Sequence, residues 1–329
     1  MRPRLVSLIR PLALAAALGG ALCAQAAEPA PPAAPVVQPT LPPLADEIVL
    51  DSDPIVTVLI GGRLVRLEVS GDAFGPPVIN PGLAEELMLV PEYRRGWRFG
   101  SASVDGRAAQ SFIDFGAGPV PVTLTWADRD VSMRADGIIG PHHLPHQRVT
   151  IRLSPDPAEG ETVQQFPLKR SGGSNARLGT EVTVGKQRLM LVFVTERSEN
   201  LITAPTANFI ATHQDGGFEP GSDGVAVMNF GVERPTRMMR ISAPIMLGDI
   251  VIDRFAVRVE DYGDPRRVGE IGENDPRFDR QQIIVSRRKG RGKPDLLTRI
   301  GRDQIAHCSA LTYDRAAGII ELRCGVAPD

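Results

Sequence analysis

The chain has 329 residues, 37 Lys+Arg against 39 Asp+Glu and a formal net charge of −2. That near-balance is what a globular protein shows and gives no reason to expect a nucleic-acid partner. With 42% hydrophobic residues the chain can bury a sizeable core, and its length exceeds one ordinary domain.

The N-terminus has the pattern of targeting rather than of fold. Arg2, Arg4 and Arg10 precede an apolar run from Pro11 to Cys23, and Ala24-Gln25-Ala26 supplies a small-x-small cleavage pattern. Residues 1–26 are therefore expected to be a cleavable signal peptide, which points to a periplasmic or secreted protein. Without them Lys+Arg falls to 34 against 39 acids, a formal net of −5. Residues 27–47 are rich in Pro and Ala and poor in large apolar side chains, the composition of an extended linker.

From Ile48 onward, short Val/Ile/Leu runs alternate with Gly, Asp, Asn and Pro. This texture predicts an all-β fold with short helices. Val58–Val69 is two β runs around Gly61-Gly62, a hairpin pattern. Val78-Ile79 and Asn80-Pro81 follow, with Asn80 placed as a helix N-cap and Gly82–Leu89 as the clearest helical stretch. Trp97, Phe99, Phe112, Phe115 and Trp126 come next, as core residues or the lining of an apolar cleft. His142, His143 and His146 are spaced so that two imidazoles could share a face. Pro145 interrupts them, so exposed polar residues are expected there and no metal site.

The pattern then recurs. Val182–Phe193 repeats the hairpin around Gly185, Leu201-Ile202 repeats the apolar pair, and Thr203-Ala204-Pro205 repeats the helix start. Leu297–Gly301 matches Asp136–Gly140 more weakly. Between them Arg287, Arg288, Lys289, Arg291 and Lys293 form a basic loop that could dock on an anionic envelope surface. At the C-terminus, pairing Asp314 with Gly318 across a turn sets Cys308 opposite Cys324, so a disulfide is expected in an oxidising compartment. No phosphate loop, Cys-x-x-Cys or calcium loop is present, and no cofactor is expected.

Ile60-Gly61-Gly62, Val78-Ile79-Asn80-Pro81, Leu83-Ala84 and Asp136–Gly140 together resemble the retropepsin-like and pepsin-like aspartic proteases, in a tandem bacterial form. The resemblance covers about Ile48–Arg323 and implies a two-lobed acid-protease β-barrel fold, with lobes at 48–170 and 171–329. It also places the catalytic aspartates at Ser70 and Val194. Ser70-Gly71-Asp72-Ala73 and Val194-Thr195-Glu196-Arg197 stand where Asp-Thr-Gly-Ala is expected. Two carboxyls sharing a proton are what that chemistry needs, and serine and valine supply neither.

The expectation is a pseudo-protease that binds an extended peptide, protein or envelope ligand in its cleft. The alternative is an aspartic-type endopeptidase using the displaced carboxylates Asp72 and Glu196. Arg197 is expected to hold Glu196 ionised and so to oppose proton sharing. A spacer without a ligand is the third reading. Ser70 as a serine-hydrolase nucleophile is not expected, because no histidine base falls near it.

Overall fold

The computed structural model describes residues 39–326 apart from Phe74, 158–159, 173–175 and 262–295. The signal-peptide reading, most of the linker and the basic run Arg287–Lys293 lie outside the described residues. In chain order the first strands are β1 (Glu47–Leu50), β2 (Ile55–Ile60), β3 (Arg63–Val69), β4 (Val78–Ile79) and β5 (Tyr93–Phe99). Then come β6 (Ala102–Asp114), β7 (Pro119–Ala127), β8 (Gly137–Ile139), β9 (Arg148–Arg152) and β10 (Thr162–Pro167). The second half supplies β11 (Lys169–Ser171), β12 (Arg177–Val184), β13 (Gln187–Val194), β14 (Leu201–Thr203) and β15 (Gly216–Met228). It ends with β16 (Val232–Leu247), β17 (Ile250–Arg258), β18 (Leu297–Gly301), β19 (Cys308–Asp314) and β20 (Ile319–Cys324). The protein is mostly β, as the alternation of its sequence predicts.

Two of the three sheets share one wiring. The first runs β2-β3-β8-β4-β7-β6-β5, and the second runs β11-β12-β13-β18-β14-β17-β16-β15. In each, a hairpin's second strand runs parallel to a late strand: β3 with β8, and β13 with β18. That late strand is antiparallel to the short strand leading into the helix, β4 or β14. Val78 faces Ile138 in the first sheet and Leu201 faces Arg299 in the second, so Ile138 and Arg299 hold matching places. The turn at Gly61 and Gly62 has φ of 60° and 78°, the conformation that lets a two-residue loop close a twisted hairpin.

The third sheet, β1-β9-β19-β20-β10, combines strands from both halves. Cys308 and Cys324 form a disulfide across it. The expected pairing holds, but by a different register. Asp314 pairs with Ile319 rather than Gly318, and an irregularity between Cys308 and Ala310 brings the cysteines back opposite each other.

The helices are α1 (Pro81–Glu86) and α2 (Ala204–Gln214), each with proline in its first turn. Thr203 caps α2 by accepting from the Thr206 amide at 3.3 Å. Asn80 stands at the N-cap position of α1 but makes no side-chain cap bond. Its amide donates to the Ser132 and Ala135 carbonyls, and its Oδ1 accepts from Val131 and Ser132. It ties the helix entry to the β7–β8 connection instead.

Trp97, Phe99 and Trp126 are buried, Phe115 packs on the core and Phe112 is exposed. Three of the five aromatics are thus core residues. Trp97 and Phe99 share their cluster with Met228 and Phe230, which ties the β5–β6 hairpin to the β15–β16 hairpin. The Trp97 and Phe230 rings are 4.6 Å apart, centroid to centroid. Among the described residues, no helix is long and apolar enough to cross a membrane.

Candidate functional site

The site forms where the strands β3 and β13 end. Both chains make the same tight turn there: Ala73 N donates to Ser70 O, and Arg197 N donates to Val194 O, each at 3.2 Å. In these two turns Ser70 and Val194 hold matching places, as do Asp72 and Glu196. Gly71 lies so close to the second half that a Cβ built on it would sit 1.8 Å from the Phe193 carbonyl oxygen. No side chain fits at this crossing, and the two turns are in direct contact because of it.

The four residues that replace the two motifs have very different surroundings. Ser70 is buried, receives the Asp72 amide on its Oγ at 3.1 Å and donates that hydroxyl to Glu196 Oε1 in a short hydrogen bond. Val194 is buried in an apolar cluster with Met190, Val192 and Leu297. Asp72 is buried too, and its Oδ1 accepts from Arg299 Nε at 2.7 Å with Arg177 Nη2 at 3.5 Å. Asp72 therefore faces inward onto arginines.

Those contacts separate the two acids electrically. Burial pushes the Asp72 carboxyl upward, but Arg299 and Arg177 outweigh it and leave the pKa below the usual value. Glu196 goes the other way. The protein packed around its carboxyl raises the pKa to about 7, and the nearby charges of Asp72 and Glu68 add to the rise. The Ser70 hydrogen bond opposes it. Part of the Glu196 surface is open to the pocket, so water there screens some of this effect. Arg197 does not hold Glu196 ionised, contrary to the sequence expectation. Its guanidinium turns to the Val227 carbonyl at 2.7 Å and to the Met228 sulfur.

A pocket of about 670 Å³ opens above these residues. Its walls come from both halves: Asp72, Arg129–Val131 and Met133 from the first, Val194, Glu196–Glu199 and Val225–Gly231 from the second. The strand β15 is an edge of its sheet, and Val225 and Val227 on it are exposed at the pocket. Neither family models nor curated proteins give a match to this chain. What the site can do therefore has to come from its own geometry.

The three histidines do not converge. His143 Nε2 bonds to the Gly75 carbonyl and His146 Nδ1 to the Ala45 carbonyl, each at 2.7 Å. His142 is packed beside His143, and burial together with nearby cations pulls its pKa down to about 3. His307 lies close to Cys308 and Cys324, but the two sulfurs are joined to each other and are not available as thiolate ligands.

Sequence reasoning missed Arg299, Arg177 and the partnership of Ser70 with Glu196. One signal was available. Arg299 is a charged residue inside the apolar strand Leu297–Gly301, at the place Ile138 takes in the first half. A buried charge needs a partner, and the acids available to Arg299 are Asp72 from the first half and Asp261 from its own.

Proposed function

We propose that the chain is an exported aspartic-protease-like protein of two lobes that does not hydrolyse its ligand but holds an extended peptide in the cleft between them. The observation that carries this reading is the separate engagement of the two acids. Asp72 is fixed by Arg299 and Arg177, and Glu196 is bonded to Ser70. Hydrolysis by a carboxyl pair requires the two to share one proton over a water. A carboxylate held by arginine is a weak base, so water between these groups is not activated.

Binding has better support. The free edge of β15 carries backbone groups on which a peptide strand can add, and Val225 and Val227 offer apolar surface beside it. The Val227 carbonyl is taken by the Arg197 guanidinium, which a peptide strand adding along its whole length would have to displace. The basic run Arg287–Lys293 adds a proposed contact with an anionic envelope surface, argued from composition.

The second reading is an aspartic-type endopeptidase using Asp72 and Glu196. It draws on the Glu196 pKa of about 7, which keeps a carboxylic acid available near neutrality beside an ionised neighbour. Incubating the purified protein with a denatured substrate from about pH 4 to about pH 8 separates the two readings. We expect no cleavage, and retention of extended peptides on the immobilised protein. Cleavage that disappears in both Asp72→Asn and Glu196→Gln would establish the enzyme instead.

A further inference from the structure

Beside the pocket, five arginines lie close together among the described residues, and three of them, Arg234, Arg258 and Arg299, are buried. Arg177 and Arg299 pair with Asp72, and Arg234 and Arg258 pair with Asp261. Arg197 is a fifth cation in the same field, interacting with Asp72 and Arg299. Glu196 and Glu199 also act on Arg197, both as exposed residues, and Glu260, which faces Arg234, has a side chain 64% exposed. Among the described residues, the inward-facing carboxylates of this group are Asp72 and Asp261.

Two of the five converge on an unsuitable partner. Arg197 Nη2 lies 3.9 Å and Arg258 Nη1 4.0 Å from the sulfur of Met228, which lines the pocket. A thioether is a weak acceptor and no counter-charge. The Arg197 and Arg258 Nε atoms and Arg299 Nη1 are buried and make no hydrogen bond among the described residues. The Arg258 and Arg299 side chains are each 7% exposed, so bulk solvent reaches them little. Burial pulls the pKa values of Arg197 and Arg258 below their usual range despite the acids nearby, the direction expected of cations short of a counter-ion.

We propose that this pocket takes its ligand by an oxyanion, a carboxylate or a phosphate group, seated between Arg197 and Arg258 where the Met228 thioether now lies. A guanidinium presents paired N–H donors that match both groups. Methionine has a flexible unbranched chain and can yield the place without a change in the strand. The inference rests on the peptide-binding reading only for the remainder of the ligand, and the oxyanion stands on the arginines alone.

Calorimetric titration of the full chain tests it with three probes: inorganic phosphate, an acetylated tri-valine peptide with a free C-terminal carboxylate, and the same peptide as its amide. The expected result is binding of a free anion, with the amide at least about tenfold weaker than the acid. Arg197→Gln should lose at least about tenfold for the anions, and Met228→Ala should bind them no more weakly than the parent. Arg197→Lys keeps the charge without the paired donors, and an intermediate loss there shows that the effect is not damage to the fold. If neither anion binds, or if Arg197→Gln matches the parent, the oxyanion site is refuted. If acid and amide bind equally while phosphate is ignored, the peptide cleft stands and the oxyanion falls. Phosphate binding with both peptides silent supports the oxyanion site and removes the peptide reading.

Discussion

Replacing Arg299 with methionine tests the separation of the two acids directly. The change removes the 2.7 Å bond to Asp72 and leaves that carboxylate with Arg177 at 3.5 Å, both partners side-chain buried. Breaking a buried pair by deleting one member costs about 3–5 kcal/mol, because the survivor's charge stays out of water. Arg177 remains, so the lower end, about 3 kcal/mol, is expected at neutral pH. For a chain of 329 residues that corresponds to a fall in Tm of roughly 5 °C.

The pH dependence gives the sharper check. In the parent the Asp72 pKa is depressed, so its contribution to stability is present above the unfolded pKa and is lost as pH falls through the folded value. In Arg299→Met the carboxyl loses its main counter-charge and its pKa rises, so protonation relieves the variant on acidification. The difference between parent and variant should therefore be largest near pH 7 and shrink below about pH 4. Urea unfolding of the parent, Arg299→Met, Asp72→Asn and the double variant measures it as a cycle. The double variant should recover most of the loss. A cost under about 1 kcal/mol at neutral pH, or a cost that does not change with pH, would refute the electrostatic account of Asp72.

Three further outcomes follow from other contacts. The raised pKa of Glu196 means that its contribution to stability is full below the unfolded carboxylate pKa and is lost as pH rises through about 7. Urea midpoints measured at about pH 5 and about pH 8 should drop for the parent and stay level for Glu196→Gln. Gly71→Ala places a methyl 1.8 Å from the Phe193 carbonyl oxygen, a backbone atom that cannot rotate away. A loss of about 3 kcal/mol or more is expected, seen as a lowered Tm or an insoluble product. The Cys308–Cys324 disulfide closes a loop with a sequence separation of 16. Cys308→Ser/Cys324→Ser should lose about 3 kcal/mol in urea unfolding relative to the oxidised parent.

Much of the architecture was legible because hairpins and helix starts are local. Gly61-Gly62 dictates a turn, and the apolar pairs Val78-Ile79 and Leu201-Ile202 each feed a helix that begins with proline. Counting along the two hairpins sets Asp72 against Glu196, and each lies in a turn closed by the same hydrogen bond. Partnerships across the fold were not legible. Asn80 looked like a helix cap, yet a side chain two or more contacts deep in a loop finds carbonyls that sequence spacing does not reveal. Arg197 follows Glu196 directly, but in the turn that its amide closes on the Val194 carbonyl its guanidinium reaches the Val227 carbonyl instead, so adjacency is poor evidence of contact. The cysteine pair was found through a register that was off by one and was restored by a bulge. Disulfide geometry tolerates such local errors because it depends on the final position alone.

The mixed sheet has a consequence for the chain's integrity. The strands β1 and β9 enter it ahead of the β9–β10 connection, and β10, β19 and β20 after it, with β9 zipped directly onto β19. Severing the backbone between β9 and β10 would leave two polypeptides still stitched through that ladder. The molecule is therefore suited to being made as two separate genes' products that find each other, each bringing one of the two acids to the seam.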